Sequence, residues 1–248
     1  MHSTGLLSTA VANNASWCDA VCRSHGYPGT FTARLWTSPR HQLRFYPNAV
    51  TLHPEVTGPE VLAAAAASGA FAVKDSFARL GLAPAGFRVL AEASWIARDR
   101  APDRPPDGPS WRRVTSPGEL TGWESAWARG SSGDDDGPVF RPGLLSDPNC
   151  AFLAHRRNDA ITAGAVVYAA DGAAGISNLF SNGLPHDRLW TGIQSAVARL
   201  WPHLPVVGYE AGTSLESARQ AGFHVLGPLR IWVRPPSERM AACPMPPA

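Results

Sequence analysis

Apolar positions along this chain recur either at helical spacing or in the short β-branched and aromatic runs typical of strands. Leu189, Ile193, Val197 and Leu200 follow a helical repeat of about 3.6 residues, which predicts an amphipathic helix. Runs rich in Val, Phe and Thr predict strands. The predicted helices span 7–25, 60–69, 116–130, 187–201 and 214–222, and the predicted strands span 30–38, 45–53, 70–75, 87–98, 150–157, 161–169, 173–181, 205–212 and 223–235.

Proline, glycine and short polar residues mark the ends of these elements. Ser116, Pro117 and Glu119 have the pattern of a capping box with proline in the first helical turn. Asn158-Asp159 and Asp171-Gly172 are typical of tight turns. The second half of the chain is therefore predicted to contain a three-stranded antiparallel meander.

A proline-rich, charged stretch separates the predicted elements into two groups. Such a run cannot continue a helix or a central strand, so it predicts a linker over 101–112. The predicted units are 1–100 and 113–236, followed by a flexible tail over 237–248. A polar, glycine-containing run over 131–137 predicts an exposed loop.

The two units contain a short internal match. Ala85-Gly86-Phe87 recurs in the second unit as Ala221-Gly222-Phe223, and the match continues without a gap through the predicted strand that follows. Lys74 and Glu210, on the preceding strands, stand at the same distance ahead of the match. The constant offset predicts a repeated α/β unit in which a helix ends at glycine and phenylalanine enters the core. Coincidence in a chain rich in alanine and glycine is the alternative.

Composition excludes some functional classes. The 248 residues include 44% apolar residues, enough for one large domain or two small ones, and the net charge is only +2. No basic stripe indicates a nucleic-acid partner, and no apolar run is long enough to indicate a membrane span. All basic residues except Lys74 are arginine.

The cysteines and the first residues bear on the compartment. Cys18, Cys22, Cys150 and Cys243 lack the spacing of a disulfide framework, and the first residues lack the basic region of a signal peptide. We therefore expect reduced thiols in a cytoplasmic protein. Cys18, Cys22 and His25 share one helix face, but packing explains this pattern better than metal ligation, and no metal site is predicted.

Over 111–235 the predicted elements are helix, three-stranded meander, helix, strand, helix, Gly-Phe and strand. This order resembles the acyl-CoA N-acyltransferase (GNAT) superfamily. The resemblance implies an α/β (α+β) GNAT fold, in tandem with a truncated, degenerate GNAT-like half at the N-terminus. Segments that resemble an actinobacterial branch are Leu144-Leu145-Ser146-Asp147-Pro148, Ile176-Ser177-Asn178-Leu179-Phe180, Val207-Gly208-Tyr209-Glu210 and Gly222-Phe223.

The resemblance also implies a co-substrate, acetyl-CoA or another acyl-CoA, bound where the fourth strand of the fold separates from the fifth. Pantetheine would pair with the edge formed by Asn178, Leu179, Phe180 and Ser181. The phosphates would lie at the next helix N-terminus, in a region that includes Asn182, Gly183, Arg188 and Trp190.

The chain departs from the family pattern at two places. Residues 186–192 lack the glycines of the phosphate loop, and bulky Leu189 and Trp190 stand there instead. The tyrosine that serves as acid in the family would fall at Ala218. Both departures bear on activity rather than on fold.

Two residues at the end of the predicted strand 205–212 are candidates for catalysis. Glu210 could remove a proton from an amine, directly or through water, or it could cap the helix that begins near Ser214. Tyr209 is the second candidate, and alternation along the strand places it on the opposite side of the sheet. Ser177 and Asn178 could polarise a thioester carbonyl.

The resulting hypothesis is an N-acyltransferase that moves an acyl group from acyl-CoA to the amine of a small metabolite or amino-acid-like substrate. One alternative is a GNAT-fold protein that has lost catalysis and serves as a binding or scaffold module. Another is an enzyme whose donor is an acyl carrier protein or aminoacyl-tRNA. A small-molecule amine is the expected partner, and a monomer or homodimer the expected state.

Overall fold

The computed structural model describes residues 2–40, 43–65, 71–99, 111–129 and 137–235. The helices in this part are α1 (His2–Ser24), α2 (Gly58–Ala65), α3 (Pro117–Trp127), α4 (His186–Leu200) and α5 (Gly212–Gln220). The strands are β1 (Thr30–Phe31), β2 (Leu35–Thr37), β3 (Ala49–Thr51), β4 (Phe71–Asp75), β5 (Arg88–Arg98), β6 (Trp111–Arg113), β7 (Cys150–Arg157), β8 (Ala160–Ala170), β9 (Ala173–Ser181), β10 (Val206–Glu210) and β11 (His224–Arg234). Short 3₁₀ turns span Ala83–Ala85 and Pro142–Ser146.

Some sequence predictions fall outside the described residues. These are the tail over 237–248, most of the linker over 101–112, most of the loop over 131–137, and the end of the second predicted helix. Of the linker, Trp111 and Arg112 are described, and they belong to β6, which pairs with β7. The linker prediction is wrong for these two residues, because Trp111 is buried beside α4 and anchors an edge strand.

The strands form one eleven-stranded sheet in the order β1-β2-β3-β4-β11-β5-β10-β9-β8-β7-β6. The strands of the two predicted units interleave at its centre. β11, from the second unit, lies between β4 and β5 of the first, and β5 lies between β11 and β10. The strands of both predicted units therefore belong to one continuous sheet. The division of the chain into two units at 101–112 stays a prediction.

The pairing of β5 with β11 is symmetric about Ala93 and Leu229, which face each other and are separated by the same offset as the two Ala-Gly-Phe segments. The same offset relates Glu92 to Pro228 and Ser94 to Arg230. Glu92 pairs with Arg230, and Ser94 pairs with Pro228, so the two pairs are equivalent. Both strands skip one leucine in the register, at positions 90 and 226. The register of β5 with β11 therefore has local twofold pseudosymmetry.

The ends of the two Ala-Gly-Phe segments also match. Gly86 and Gly222 have left-handed φ angles of 81° and 89°. The following Phe87 and Phe223 donate their N–H groups to the carbonyls of Leu82 and Ala218 and are each 4% exposed. The predicted glycine cap followed by a buried phenylalanine is confirmed at both sites.

The outer strands depart from the constant offset by one residue. Lys74 of β4 pairs with Ile231 of β11. Trp95 of β5 corresponds to Ile231 under the constant offset, and it pairs with Tyr209 of β10. Lys74 is thus equivalent in the register to Tyr209, and the predicted equivalence of Lys74 with Glu210 is wrong by one position. The connection from β10 to β11 is one residue longer than that from β4 to β5, which accounts for the shift.

Helices cover both faces of the sheet. Val206 packs with α4 and α5, whereas the next residue, Val207, packs with Ala10 and Val11 of α1. Asn13 of α1 donates its Nδ2 to backbone carbonyls around the turn from β8 to β9. α1, from the first half of the chain, is therefore fixed to the meander of the second.

Most predicted elements are present, with changed boundaries. The capping box is confirmed, because Ser116 Oγ accepts from the N–H of Glu119 at 3.3 Å. In α4 the predicted apolar positions are buried except Leu200, which is 38% exposed. The strand predicted over 45–53 is only β3, since Phe45 has a positive φ of 69° that ends extended pairing. Within the described residues, none of the helices is both long and apolar enough for a membrane span.

Candidate functional site

β9 and β10 separate part-way along their length. Their parallel pairing consists of Ala174 with Val206 and Gly175 with Val207. From Ile176 onward the partner of β9 in the described sheet is β8 alone. Asn178 has a positive φ of 52° at an irregularity in the pairing of β9 with β8. A gap in the sheet results.

A cavity of about 660 Å³ opens at this gap, a volume typical of small-molecule sites. Its walls come from both halves of the chain. The apolar lining includes Leu43, Phe45, Phe71, Leu90, Ile231 and Val233. The polar lining includes Tyr46, Lys74, Arg88, Ser177, Asn178, Tyr209, Glu210 and Arg234.

Glu210 is the last residue of β10 and lies at the edge of the cavity. Burial raises the pKa of its carboxyl group to about 7, and a hydrogen bond with Ser214 in the first turn of α5 opposes the rise. The two interpretations drawn from the sequence, a proton acceptor and a helix cap, are therefore compatible. Glu210 contacts the start of α5, and the pKa of its carboxyl group is close to neutral pH. A carboxylate with that pKa is suited to accept a proton from a substrate.

Tyr209 points to the opposite face of the sheet, as predicted from strand alternation. It packs with the cluster that contains Ala10 and Val11 of α1, and its ring lies edge-on to Trp95 at 5.5 Å. It nevertheless lines the same cavity as Glu210. Both can do so because the cavity lies at the end of β10, where the neighbouring strand β9 has moved away.

Lys74 is a cavity residue that sequence reasoning did not select. It is 3% exposed, and its Nζ donates to Asn14 Oδ1 at 2.6 Å and to the Tyr209 hydroxyl at 3.4 Å. Nζ also lies 4.5 Å from the centre of the Tyr209 ring. β11 and β5 separate the strands of the two residues, so their side chains meet above these strands. The one available signal was a single lysine after the apolar start of a strand in an arginine-rich chain.

Opposing influences act on the pKa of Lys74. Burial acts to lower the pKa of the ammonium group, whereas Tyr209 and Cys18 act to raise it, and the balance raises the pKa of Lys74. The direction of the shift favours the protonated form.

Tyr46 is a second residue that sequence reasoning missed. Its hydroxyl donates to Asn178 Oδ1 at 3.3 Å, which connects the first half of the chain to the irregular part of β9. Burial raises the pKa of Tyr46 well above its usual range, so the group is a neutral hydroxyl. Its predicted strand position gave no indication of this contact.

The residues predicted to form the pantetheine edge divide into two groups. Asn178 and Leu179 line the cavity. Phe180 instead packs against the ring of Trp123 with centroids 5.2 Å apart, and Ser181 Oγ bonds the backbone of Leu184. The side chains of the second pair therefore have structural roles, and only their backbone remains on the strand edge.

The predicted phosphate region begins with a turn and a helix start. Asn182 Nδ2 donates to the carbonyl of Ala126 at 2.8 Å, and Gly183 has a φ of 101°. α4 has no side-chain cap, and its first backbone bond is from the N–H of Leu189 to Pro185. The N–H groups of residues 186–188 precede this first bond and have no acceptor within the helix.

The large residues of this helix start do not lie where the sequence suggested. Leu189 and Trp190 are 2% and 1% exposed and lie on the buried side of α4. The centroids of the Trp190 and Phe223 rings are 5.0 Å apart. The Trp190 side chain is therefore part of the core, and neither side chain covers the helix N-terminus; a role of the Trp190 position in phosphate binding stays a prediction. Arg188 is exposed beside it.

Two further positions concern chemistry. Ala218, where the family tyrosine would fall, is fully buried against α4. In the part of the chain that the structure describes, no three His, Cys, Asp or Glu side chains form a metal site. His25 Nε2 lies 2.8 Å from the carbonyl of Val139, so it is engaged away from Cys18 and Cys22.

Comparison with solved structures gives full-length matches at low sequence identity. A GCN5-related N-acetyltransferase from Kribbella flavida is 14% identical, with 94% of this chain and 98% of that chain covered and a TM-score of 0.61. A putative acetyltransferase of the GNAT family from Novosphingobium aromaticivorans is 12% identical, with 89% and 96% covered and a TM-score of 0.58. A functionally unknown conserved protein from Staphylococcus epidermidis is 13% identical, with 84% and 93% covered and a TM-score of 0.61.

No protein-family model matches the sequence, and a search of curated proteins finds no match. The structural likeness therefore concerns the fold. The chain has the mixed α/β GNAT acyl-CoA N-acyltransferase fold. Because the matches cover both halves, the likeness extends beyond the segment 111–235 on which the sequence resemblance depended.

Proposed function

We propose that this protein is an N-acyltransferase that moves an acyl group from acyl-CoA, either acetyl-CoA or a longer homologue, to the amine of a small metabolite. The observation that carries the proposal is Glu210, a carboxyl group with a pKa of about 7 beside the gap between β9 and β10. The GNAT fold supports the reaction class, because relatives with this fold are named as acetyltransferases.

Acyl transfer requires a neutral amine as nucleophile. Glu210 takes a proton from the ammonium group of the acceptor, directly or through water. The amine nitrogen then forms a bond to the thioester carbonyl carbon and the carbon–sulfur bond breaks. The nitrogen loses its extra proton as the amide forms, and this proton passes, through water, to the leaving thiolate. Ser177 and Asn178 line the cavity beside the gap, where their polar atoms would stabilise the carbonyl oxygen as it gains charge.

The donor fits along the exposed edge of β9. Its pantetheine amides would pair with the backbone around Asn178 and Leu179, which have no partner strand on the β10 side. The pyrophosphate would accept hydrogen bonds from the free N–H groups at the start of α4, with Arg188 as a charge partner. The inward position of Leu189 and Trp190 leaves this surface accessible.

We also propose that the first half is a degenerate GNAT-like copy whose remaining role is to complete the site. The symmetric register of β5 with β11 supports the duplication. Tyr46 and Lys74 support the role, because both line the cavity from the first half. The actinobacterial resemblance, the cytoplasmic location and the monomeric or homodimeric state stay predictions.

An inactive GNAT-fold binding module is the second candidate. Ala218 favours it, since the position of the family acid is a buried methyl group without a proton to donate. A carrier-protein or aminoacyl-tRNA donor is a further alternative, and the near-neutral charge argues against tRNA.

Titration with acetyl-CoA and longer acyl-CoAs in a thermal-shift assay separates these candidates. A ligand that binds only the folded state raises the melting temperature, by an amount that grows with its concentration above Kd. We expect such a rise with at least one acyl-CoA, together with release of free CoA when an acceptor amine is added. If no CoA species changes the melting temperature, the proposed donor is wrong.

A further inference from the structure

Lys74 is an isolated positive charge in the interior. It is the only lysine of the chain and is almost completely buried. The ion pairs of the described residues all involve arginine or histidine, so no carboxylate in that part of the chain neutralises Lys74. A buried charge without a counter-charge is costly, and proteins rarely keep one without a function.

The hydrogen bonds of Lys74 leave capacity for a ligand. An ammonium group has three N–H donors. Asn14 and Tyr209 accept two of them, and the second of these bonds is long at 3.4 Å. Since Lys74 lines the cavity, the third donor can be satisfied there.

Tyr209 supplies a second donor at the same point. Its hydroxyl oxygen accepts from Lys74, so its own hydrogen remains free to donate. An ammonium and a hydroxyl side by side match the two oxygens and the single charge of a carboxylate. A phosphate monoester carries a charge of about −2 and favours clustered arginines. The two arginines of the cavity lining, Arg88 and Arg234, lie further along the sheet, since Arg88 pairs with Val233, two residues beyond Ile231, the partner of Lys74.

The surroundings limit the rest of the ligand. Ile231, which pairs with Lys74, and Val233, two residues further along β11, lie on the same face of the sheet as Lys74, and Phe71 and Leu43 add to the apolar lining of the cavity. Glu210, also on the lining, is the group that would receive the proton of an amine. A ligand that satisfies all three features has a carboxylate, an apolar body and an amine.

We propose that Lys74 and Tyr209 bind the carboxylate of the acceptor, which is therefore an apolar amino carboxylate such as an aromatic or branched-chain amino acid. The proposal rests on the proposed acyl transfer for the role of the amine, but carboxylate binding can be measured without it. Tyr209, predicted from sequence as catalytic, is a binding residue in this proposal. Lys74, from the degenerate half, thus determines the substrate class of a site in the other half.

Binding is measured first, in the absence of CoA, by calorimetry and thermal shift. The probes are L-phenylalanine, L-phenylalanine amide and phenethylamine, with L-leucine and L-leucine amide as a second series. We expect each amino acid to bind about 10 to 100 times more tightly than its amide or amine, because one charge-assisted pair is lost. Equal affinity within both series would overturn the proposal, as would tighter binding of the corresponding aminophosphonates.

Variants then identify the residue responsible. Lys74→Met preserves the length of the side chain without its charge and should remove the preference for the carboxylate. Arg199→Gln removes one positive charge from an exposed position in the last turn of α4 and should leave the preference unchanged. A Lys74→Met protein that still prefers the amino acid contradicts the proposal.

Tyr209→Phe is the second variant, in case Lys74→Met does not fold. It keeps the ring that packs on Trp95 and faces Lys74, and it removes only the hydroxyl. We expect about 5- to 10-fold weaker carboxylate binding, with KM raised and kcat nearly unchanged. An unchanged affinity for the amino acids, or a loss confined to kcat, overturns the assignment of Tyr209.

Turnover distinguishes failure of this proposal from failure of the proposed function. If amino acids bind selectively but no acyl-CoA is consumed, the carboxylate subsite stands and the acyltransferase proposal fails. If acyl-CoA is consumed as readily with amines that lack a carboxylate as with amino acids, the acyltransferase proposal stands and the carboxylate subsite fails.

Discussion

β4 and β10 end in carboxylates that occupy matching positions in the register, and the two side chains are used differently. Asp75 pairs with Arg230, and Glu210 pairs with the equivalent Ser94. Asp75 is 1% exposed and accepts from the backbone N–H of Leu80 at 2.8 Å. Glu210 is hydrogen-bonded to a serine side chain and lies on the cavity.

The loops that follow explain the difference. After Asp75 the chain turns back so that N–H groups satisfy the carboxylate, which then has a structural role. After Glu210 the chain enters α5 directly, and burial without backbone donors raises the pKa of the carboxyl group to about 7. Matching positions in the register thus hold a carboxylate with a structural role in one half and, in the function proposed above, the proton acceptor in the other, through local backbone geometry.

Exchange of each carboxylate for its amide is the strongest test of this comparison. Glu210→Gln should lower kcat/KM by about 10² to 10⁴, the usual contribution of a general base, without loss of structure. Steady-state rates with an acyl-CoA and an acceptor amine, alongside circular dichroism, measure the effect. Turnover that survives the change intact would remove Glu210 as the base and leave it as a partner of Ser214.

The pH profile of the wild-type protein sharpens the same point. The base must be ionised, so kcat/KM should rise about tenfold per pH unit below pH 7 and become constant above it. Glu210→Gln should lose this dependence in its residual rate. A profile without an inflection between pH 6 and 8 would contradict the assignment.

Stability should depend on pH with a definite sign. The folded state raises the pKa of Glu210 from 4.5 to about 7, so it binds the proton more tightly than the unfolded chain does. Stability from this group is complete below about pH 4.5 and is lost as pH rises to 7. Relative to the wild type, Glu210→Gln should therefore gain about 1 to 3 kcal/mol between pH 4.5 and 8, measured by urea unfolding. A constant difference would show that the carboxyl group is well solvated.

Asp75→Asn should act on stability rather than on chemistry. The amide is a weaker acceptor for the N–H groups of Phe77 and Leu80, and we expect a loss of about 1 to 3 kcal/mol in the free energy of unfolding. The kcat of the remaining folded protein should stay within about twofold of the wild type. A large fall in kcat with unchanged stability would mean that the two carboxylates are not as different as their contacts indicate.

The contact of α1 with the meander is tested by stability alone. A Cβ at Gly175 would overlap the amide of Asn13, so Gly175→Ala should cost about 1 to 3 kcal/mol of stability. The matched control is Gly122→Ala in α3, where a Cβ meets nothing and should stabilise the helix by about 0.5 to 1 kcal/mol. If Gly175→Ala is neutral in urea unfolding, α1 does not hold the two halves together through Asn13.

Local signals explain most of the successful predictions. The capping box at Ser116, the turns of the meander and the glycine caps before Phe87 and Phe223 each depend on residues within a few positions. Glu210 could be placed at a strand end, and strand alternation correctly separated it from Tyr209. The burial of Trp111 and Trp190 could not be predicted for a common reason, since a tryptophan near a linker or helix start carries no local indication of the core surface it will join.

The amino-acid sequence alone determined the order of helices and strands, the repeat around the two Ala-Gly-Phe segments and the resemblance to a GNAT fold. These follow from hydrophobic periodicity and turn chemistry, which act over short distances. Only the tertiary structure decided that β5 and β11 exchange places between the halves, that Lys74 meets Tyr209, and that one cavity takes walls from both. Strand pairing between residues far apart in the chain depends on complementary packing across the whole sheet, and no short segment encodes it.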